Sequence, residues 1–527
     1  MVKNRSASQN DIEDKESNVT NISIQAGVAL SDLLRPTFGP TGRDKMIVDS
    51  NQMVIITNNG ATILGEVDVE MDIIPSARLI TELVQSQGER FGDGTKTATI
   101  FAGELMRRAE TLVEKGLHPS SIVDGYLWAS DRTADLMAQH SFEVTVNNTE
   151  HLEHVAKVAM TGRGTTAIGD TLANLVVEAV RTVEQDGDIN LDYITTTTIP
   201  GGVVGDSVLY SGVLIDTTDP VLTSMPRAVE DARIACVDAP IQPTGARRGS
   251  AEIHFERPED VTQFHDYEYS AAEQLVNELV DHGVNVVFCT KDISQKTRLL
   301  LSENGILATK RTLSQDVEQI ARATGASAIS DIYELEPSDI GLADRVELRQ
   351  FGREQLFAIE GCEDPRSATL LLRGGIEHSL DEVERTVRNG IATVRATIQS
   401  GCLVPGAGAV ETEVGRILRA EANDIADRRQ LAIRAYADAL EVIPRTLAVN
   451  MGHDPIDTLV ELRRRHDMNH RNAGVVPDEG VVDDVVEAGI VEPHNVKLQA
   501  IIGASEVVFQ VLKIDDVIPA KLSDEPY

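Results

Sequence analysis

Apolar residues recur along this 527-residue chain with two different periods, so both helices and strands are expected. The cleanest helical run is Glu377 to Ser400, where Leu380, Val383, Val387, Ile391, Val394 and Ile398 share one stripe. Asn389 lies about 900° of helical turn beyond Leu380, so it points away from that stripe. Another helix follows Gly92-Asp93-Gly94-Thr95, with Phe101, Leu105, Ala109, Leu112 and Val113 on one face. A third carries Ile24, Val28 and Leu34 behind Thr20 or Asn21 as cap and stops at Pro36, which leaves residues 1–17 as a disordered segment. Further helices are expected at 167–185, 314–324, 410–421 and 428–449. Strands are expected at 45–49, 194–199, 234–237, 284–289, 356–359 and, last, 510–518. The β-rich runs 54–57 and 61–64 flank Asn58-Asn59-Gly60, a hairpin signal. Residues 258–279 are polar and helix-prone, with isolated Phe264, Tyr267 and Tyr269, as in a segment that stands out from a core.

The charge balance narrows the partners. There are 84 acidic residues against 48 Lys and Arg, a net charge of −36, which repels nucleic acid and anionic membrane surfaces. Two readings of this acidity remain, cation binding and adaptation to high salt. The acids are spread along the chain without EF-hand spacing, which favours salt adaptation. At about 100 to 200 residues per domain, the length suggests roughly three domains. Cys236, Cys289, Cys362 and Cys402 are far apart and form no C-x-x-C, so they read as buried thiols of a reducing cytosol. The polar N-terminus has no signal-peptide stretch, and nowhere do about 18 apolar residues run together. A soluble, cytoplasmic protein is the expectation.

Single glycine turns are weak signals, and there is no P-loop or Rossmann fingerprint. The ordered set is more specific. Phe38-Gly39-Pro40-Thr41-Gly42, Ile56-Thr57-Asn58-Asn59-Gly60-Ala61-Thr62, Gly92-Asp93-Gly94-Thr95-Lys96-Thr97, Thr161-Gly162-Arg163-Gly164, Arg373-Gly374-Gly375, Gly406-Ala407-Gly408-Ala409, Val491-Glu492-Pro493 and Ile514-Asp515-Asp516-Val517-Ile518 follow one another.

This series resembles the group II chaperonins, the archaeal thermosome and its eukaryotic cytosolic relatives, over about residues 18 to 520. The resemblance implies a three-domain subunit with domains discontinuous in sequence. A mostly α-helical equatorial ATP-binding domain combines 18–146 with 404–527. An intermediate domain combines 147–215 with 369–403, and an apical substrate-binding domain spans 216–368; both are α/β. It also implies a helical protrusion at about 258–279, a double ring of like or mixed sister subunits, and ATP-driven folding of non-native protein clients. By the same resemblance ATP contacts Phe38, Gly39, Pro40, Gly42, Asn58, Gly94, Thr95, Lys96, Thr97, Arg163, Ala407, Asn472 and Glu492, and Asp93 holds Mg²⁺. A turn leading into a helix N-terminus suits phosphate, and one carboxylate suits a magnesium ion already bound to phosphates.

The departures from the family pattern cluster at this site. Asn59 and Asn389 stand where the family carries the Asp residues that serve hydrolysis. Arg163 replaces a lysine, Lys96 a threonine, Thr41 a common lysine and Ala407 a glycine. An amide can hold a water but cannot take its proton. Two functions therefore compete: a chaperone subunit with attenuated hydrolysis, and a nucleotide-binding structural or regulatory subunit of a mixed ring. An unrelated metabolic enzyme is a distant third, since no Ser/His/Asp or Cys/His set is visible.

Overall fold

The computed structural model describes residues 9–48, 54–66, 75–160, 166–185, 187–210, 212–216, 222–243, 258–351, 354–362, 367–375 and 377–514. The chain divides into two compact units, Met1–Val177 with Arg385–Tyr527, and Glu178–Glu384. It passes between them inside two helices, Thr166–Val183 and Glu377–Ser400.

The first unit is built on helix Thr95–Glu114, which is buried along most of its length by Ala98, Ile100, Phe101, Ala102, Leu105, Met106 and Ala109. Helices Gln9–Leu34, Pro119–Gln139, Arg429–Leu440 and His494–Leu512 pack around it. Close approach is possible because glycines stand at the crossings. A Cβ on Gly103 would lie 2.2 Å from Ser31 Cβ, and one on Gly125 would lie 2.5 Å from Ala432 Cβ. At the centre, Tyr436 meets Phe101 and Tyr126 edge to face at 5.3 and 5.7 Å, an arrangement that adds to simple burial. The Tyr126 hydroxyl donates to Leu105 O, so its polar end is satisfied.

In the second unit a mixed sheet runs in the order Gly212–Asp216, Glu354–Glu360, Gly341–Phe351, Ala228–Val237, Val286–Cys289, Leu307–Thr309, with Ala328–Ile329 also on Ala228–Val237. The parallel strands Val286–Cys289 and Leu307–Thr309 are fully buried and, Thr309 apart, apolar, as expected of strands covered on both faces. A smaller sheet pairs Ala368–Gly374 with Ile194–Pro200 and Val208–Tyr210.

Most expected elements form, and five expectations need correction. Helix Gln9–Leu34 begins well before Thr20, so residues 9–17 are helical where disorder was expected, and residues 1–8 lie outside the described ones. Its early turns lack an apolar stripe, but Glu, Lys and Gln are good helix formers. Strand Val54–Thr57 pairs with Lys45–Val48 and not with 61–64, which lie in helix Gly60–Glu66. The run 428–449 is two helices, Arg429–Leu440 and Val442–Met451, because Pro444 cannot donate to the carbonyl four residues earlier. Residues 510–512 end helix His494–Leu512, and 515–518 lie outside the described residues. There burial of Val507, Val508 and Val511 against the helical core overrides β-propensity.

The fifth correction concerns 258–279. Helix Pro258–Asp281 exposes Tyr267 and Tyr269 in its first half, but Ala272, Leu275, Val276 and Leu279 are buried in the sheet's core. The second half is therefore an anchor and does not stand out. Cys236 and Cys289 are buried free thiols, whereas Cys362 and Cys402 are partly exposed. No helix among the described residues is long and apolar enough to cross a membrane.

Candidate functional site

The first unit brings most of the glycine turns together around the N-terminus of helix Thr95–Glu114. Gly94 caps that helix in the left-handed region at φ 83°, and its first intrahelical bond runs from Ala98 N to Gly94 O. The amides of Thr95, Lys96 and Thr97 have no intrahelical acceptor, and the dipole's positive end lies there. Asp93 Oδ1 accepts from Gly94 N at 2.7 Å. Gln87 braces the turn from behind, its Nε2 donating to Asp93 O and to Val496 O, both at 3.1 Å. A Cβ on Gly94 would fall 2.5 Å from that nitrogen, so the turn needs glycine for space as well as for φ.

The turn around Gly39 and Pro40 forms a second wall. Gly39 has φ 83° and packs against Leu447, and Asn450 Nδ2 donates to both Arg35 O and Phe38 O. Gly42 closes the turn through its amide to Gly39 O. Lys96 joins the two walls, because its Nζ donates to Thr37 O at 2.9 Å. The ammonium is thus held at a fixed point beside both turns.

Asn58 and Asn59 lie where strand Val54–Thr57 becomes helix Gly60–Glu66, and both are buried. Asn59 is the N-cap: its Oδ1 accepts from Ala61 N at 2.9 Å and Thr62 N at 3.1 Å. Two N–H donors on one atom identify that atom as the oxygen, so the amide's other end is an NH₂ donor. A Cβ on Gly60 would lie 3.0 Å from both Thr95 Oγ1 and Lys96 Cγ, which puts this cap against the phosphate-type turn. From the other side, helix Glu377–Ser400 presents Asn389. A Cβ on Gly92 would lie 2.8 Å from Asn389 O, and Thr393 Oγ1 bonds Phe91 O at 3.2 Å.

The remaining candidates form a third wall. Glu492, in strand Val491–Pro493, pairs with Val404 of Cys402–Pro405. Its carboxyl is pushed up, first by burial, then by the charges of Glu411 and Asp93 against the pull of Lys497. Ala407 sits at φ 54°, a conformation that favours glycine, and its methyl packs with Ala409, Val476 and Val485. Its carbonyl accepts from Val475 N. Asn472 bonds Asp484 Oδ2 at 3.0 Å, and its carbonyl accepts from Val485 N. Arg163 lies outside the described residues.

Sequence reasoning missed Gln87, Asn450, Glu411 and Lys497. Only Lys497 carried a signal, as the one Lys or Arg in the apolar-rich helix His494–Leu512.

The TCP-1/cpn60 chaperonin family matches residues 30–522. Thermosome subunit alpha of Halobacterium salinarum is 41% identical over 95% of this chain and 88% of its own. The thermosome subunit of Methanopyrus kandleri is 41% identical over 95% of this chain and 92% of its own. Thermosome subunit 1 of Haloferax volcanii is 40% identical over 95% and 88%. With matches of this extent, the chain belongs to the TCP-1/cpn60 chaperonin family, in its group II, thermosome-like branch.

Proposed function

We propose that this chaperonin subunit binds ATP in the first unit and assists the folding of non-native proteins from a double ring, with hydrolysis attenuated by its amides. In this reading 18–146 with 404–527 form the equatorial domain, 147–215 with 369–403 the intermediate domain and 216–368 the apical, client-binding domain. The turns at Gly39 and Gly94 take the phosphates, Lys96 and Arg163 supply positive charge, and Glu492 and Asn472 lie on the sugar and base side. The residues suit a magnesium ion as well. Asp93 spends Oδ1 on Gly94 N, so Oδ2 can ligate, and the ion would neutralise phosphate charge.

The observation that carries the attenuation is the cap of Asn59. An Asp there could cap the helix with one oxygen and offer the second to water as a base. Asn59 has only one oxygen, and the cap uses it. Asn389, against Gly92, cannot replace it, because its amide does not accept a proton either. General-base assistance is worth about 10² to 10⁴ in rate. Phosphate release in a single turnover should therefore be about 10²-fold or more faster for Asn59→Asp/Asn389→Asp than for the unaltered protein. Equal rates would sink the attenuation.

The same cap supports a second reading, a nucleotide-binding structural or regulatory subunit that leaves hydrolysis to sister subunits. Size-exclusion chromatography in molar salt separates the two. A ring formed by this chain alone favours the first reading, and one formed only with sister subunits favours the second.

A further inference from the structure

Three charged side chains lie together behind the third wall, and the nucleotide reading uses only one of them. Lys497 is 3% exposed, and its Nζ lies 2.8 Å from Glu411 Oε1 and 2.6 Å from Glu492 Oε2. Each partner comes from a different part of the chain. Glu411 stands in the first turn of helix Ala409–Glu421, Glu492 in a strand and Lys497 in the helix that follows it. Two carboxylates hold the ammonium in its charged form although burial works against it.

The two acids are not equivalent. Glu411 is 1% exposed, and its Oε2 has no partner among the described residues. The Glu492 side chain keeps 22% of its exposure. Its Oε1 lies 3.0 Å from where a Cβ on Gly406 would stand, so the missing side chain lets the carboxylate rest on that loop. Among the described residues no group donates to this oxygen. A buried lysine is costly to desolvate, and a cluster serving only its own neutrality would not leave one carboxylate oxygen facing outward. The cluster has the form of an arm and its mount: Glu411 anchors the ammonium, the ammonium grips Oε2, and Oε1 is left as the presented acceptor. Gln87 ties the mount to the phosphate side, since it bonds Val496 O, one residue before Lys497, together with Asp93 O.

We propose that Lys497 is a positioning residue for the sugar of the bound nucleotide, fixing Glu492 so that Oε1 accepts from a ribose hydroxyl. The proposal rests on the nucleotide-binding reading above and assigns Lys497 and Glu411 no contact with the nucleotide. A hydroxyl donating to a carboxylate is a charge-assisted bond, which discriminates against a sugar without it by about tenfold or more.

The test is calorimetric titration of the full-length protein with ADP and with 2′,3′-dideoxy-ADP. The unaltered protein should prefer ADP by about tenfold or more. Lys497→Met should bring the ratio close to one while leaving the affinity for dideoxy-ADP nearly unchanged. Lys497→Arg, which can still bridge two carboxylates, should restore part of it. Glu411→Gln keeps the ammonium but loosens its mount, so it should narrow the ratio by a smaller factor. Should Lys497→Met fail to fold by circular dichroism, Glu411→Gln decides, and an unchanged ratio there overturns the proposal. Lys497→Met folded with the original ratio also overturns it, as does an unaltered protein that binds both ligands equally. An unaltered protein that binds neither ligand refutes the nucleotide reading itself.

Discussion

Asn59 illustrates how one atom decides a chemical role. Its identity and place in the motif were legible in the sequence, but the use of its oxygen as a helix cap was not, because the turn was expected to close a hairpin. Asn59→Ala should cost about 1 kcal/mol of stability in denaturant titration, whereas Asn59→Asp, which still caps, should cost little. Lys96 is the other informative residue. Its Nζ is fixed on Thr37 O beside the phosphate-type turn, so Lys96→Thr removes a preorganised charge. Calorimetry should show weaker ATP binding in the variant by about fivefold or more, with a shallower dependence on salt. Ala407 stands out in the sequence only through its place in the Gly406-Ala407-Gly408 turn. Its tolerance at φ 54° becomes intelligible only with the buried methyl contacts that offset the backbone cost.

Whole elements followed the apolar period wherever that period was strong, as in Glu377–Ser400 and Ser314–Thr324, whose bounds match expectation. They departed from it where a proline broke the period, at Pro444, and where core burial overrode β-propensity, in the valine-rich end of His494–Leu512. Helix crossings depend on single glycines. Gly103→Val would push a branched side chain into Ser31 and should lower stability by about 1 to 3 kcal/mol, measured by chemical denaturation. A buried polar network ties three further elements. Glu413 takes Arg416 from its own helix, and His466 Nδ1 approaches it at 2.9 Å while Nε2 faces Ala473 O. His140 stands 3.8 Å away and is repelled by Arg471. Burial alone would raise the Glu413 carboxyl, but nearby His140 and the bonds from His466 and Arg416 outweigh it and hold it well below the usual range. The nearby Glu413 carboxylate, against the effect of burial, raises His140 above its ordinary 6.5.

The two shifts act on opposite sides of neutrality. The Glu413 contribution is present above its unfolded-state value and is lost as pH falls through its lowered folded-state value. The His140 contribution is complete below about pH 6.5 and is lost as pH rises through its raised value. Thermal midpoints should therefore fall toward both acid and alkaline pH. His140→Gln should flatten the alkaline side and, because His140 also helps to hold the Glu413 carboxyl down, shrink part of the acid-side loss.

At the scale of the molecule, the −36 net charge sets the solution behaviour. Raising ionic strength from about 0.1 M to 1 M shortens the screening length from about 10 Å to 3 Å. Self-repulsion between the acids should then fade, so the thermal midpoint should rise with potassium chloride, and a flat response would count against charge repulsion as a limit on stability. The sequence by itself determined the ordered glycine motifs, the long amphipathic helices, the excess of acid and the amides at Asn59 and Asn389. These are properties of composition and local spacing, and neighbouring residues suffice to define them. Tertiary structure decided what long-range contact alone can decide. It buried the second half of Pro258–Asp281, and set Lys96 on Thr37 and Lys497 between Glu411 and Glu492. Segments hundreds of residues apart meet at that site, and no local period encodes which buried charge will find which partner.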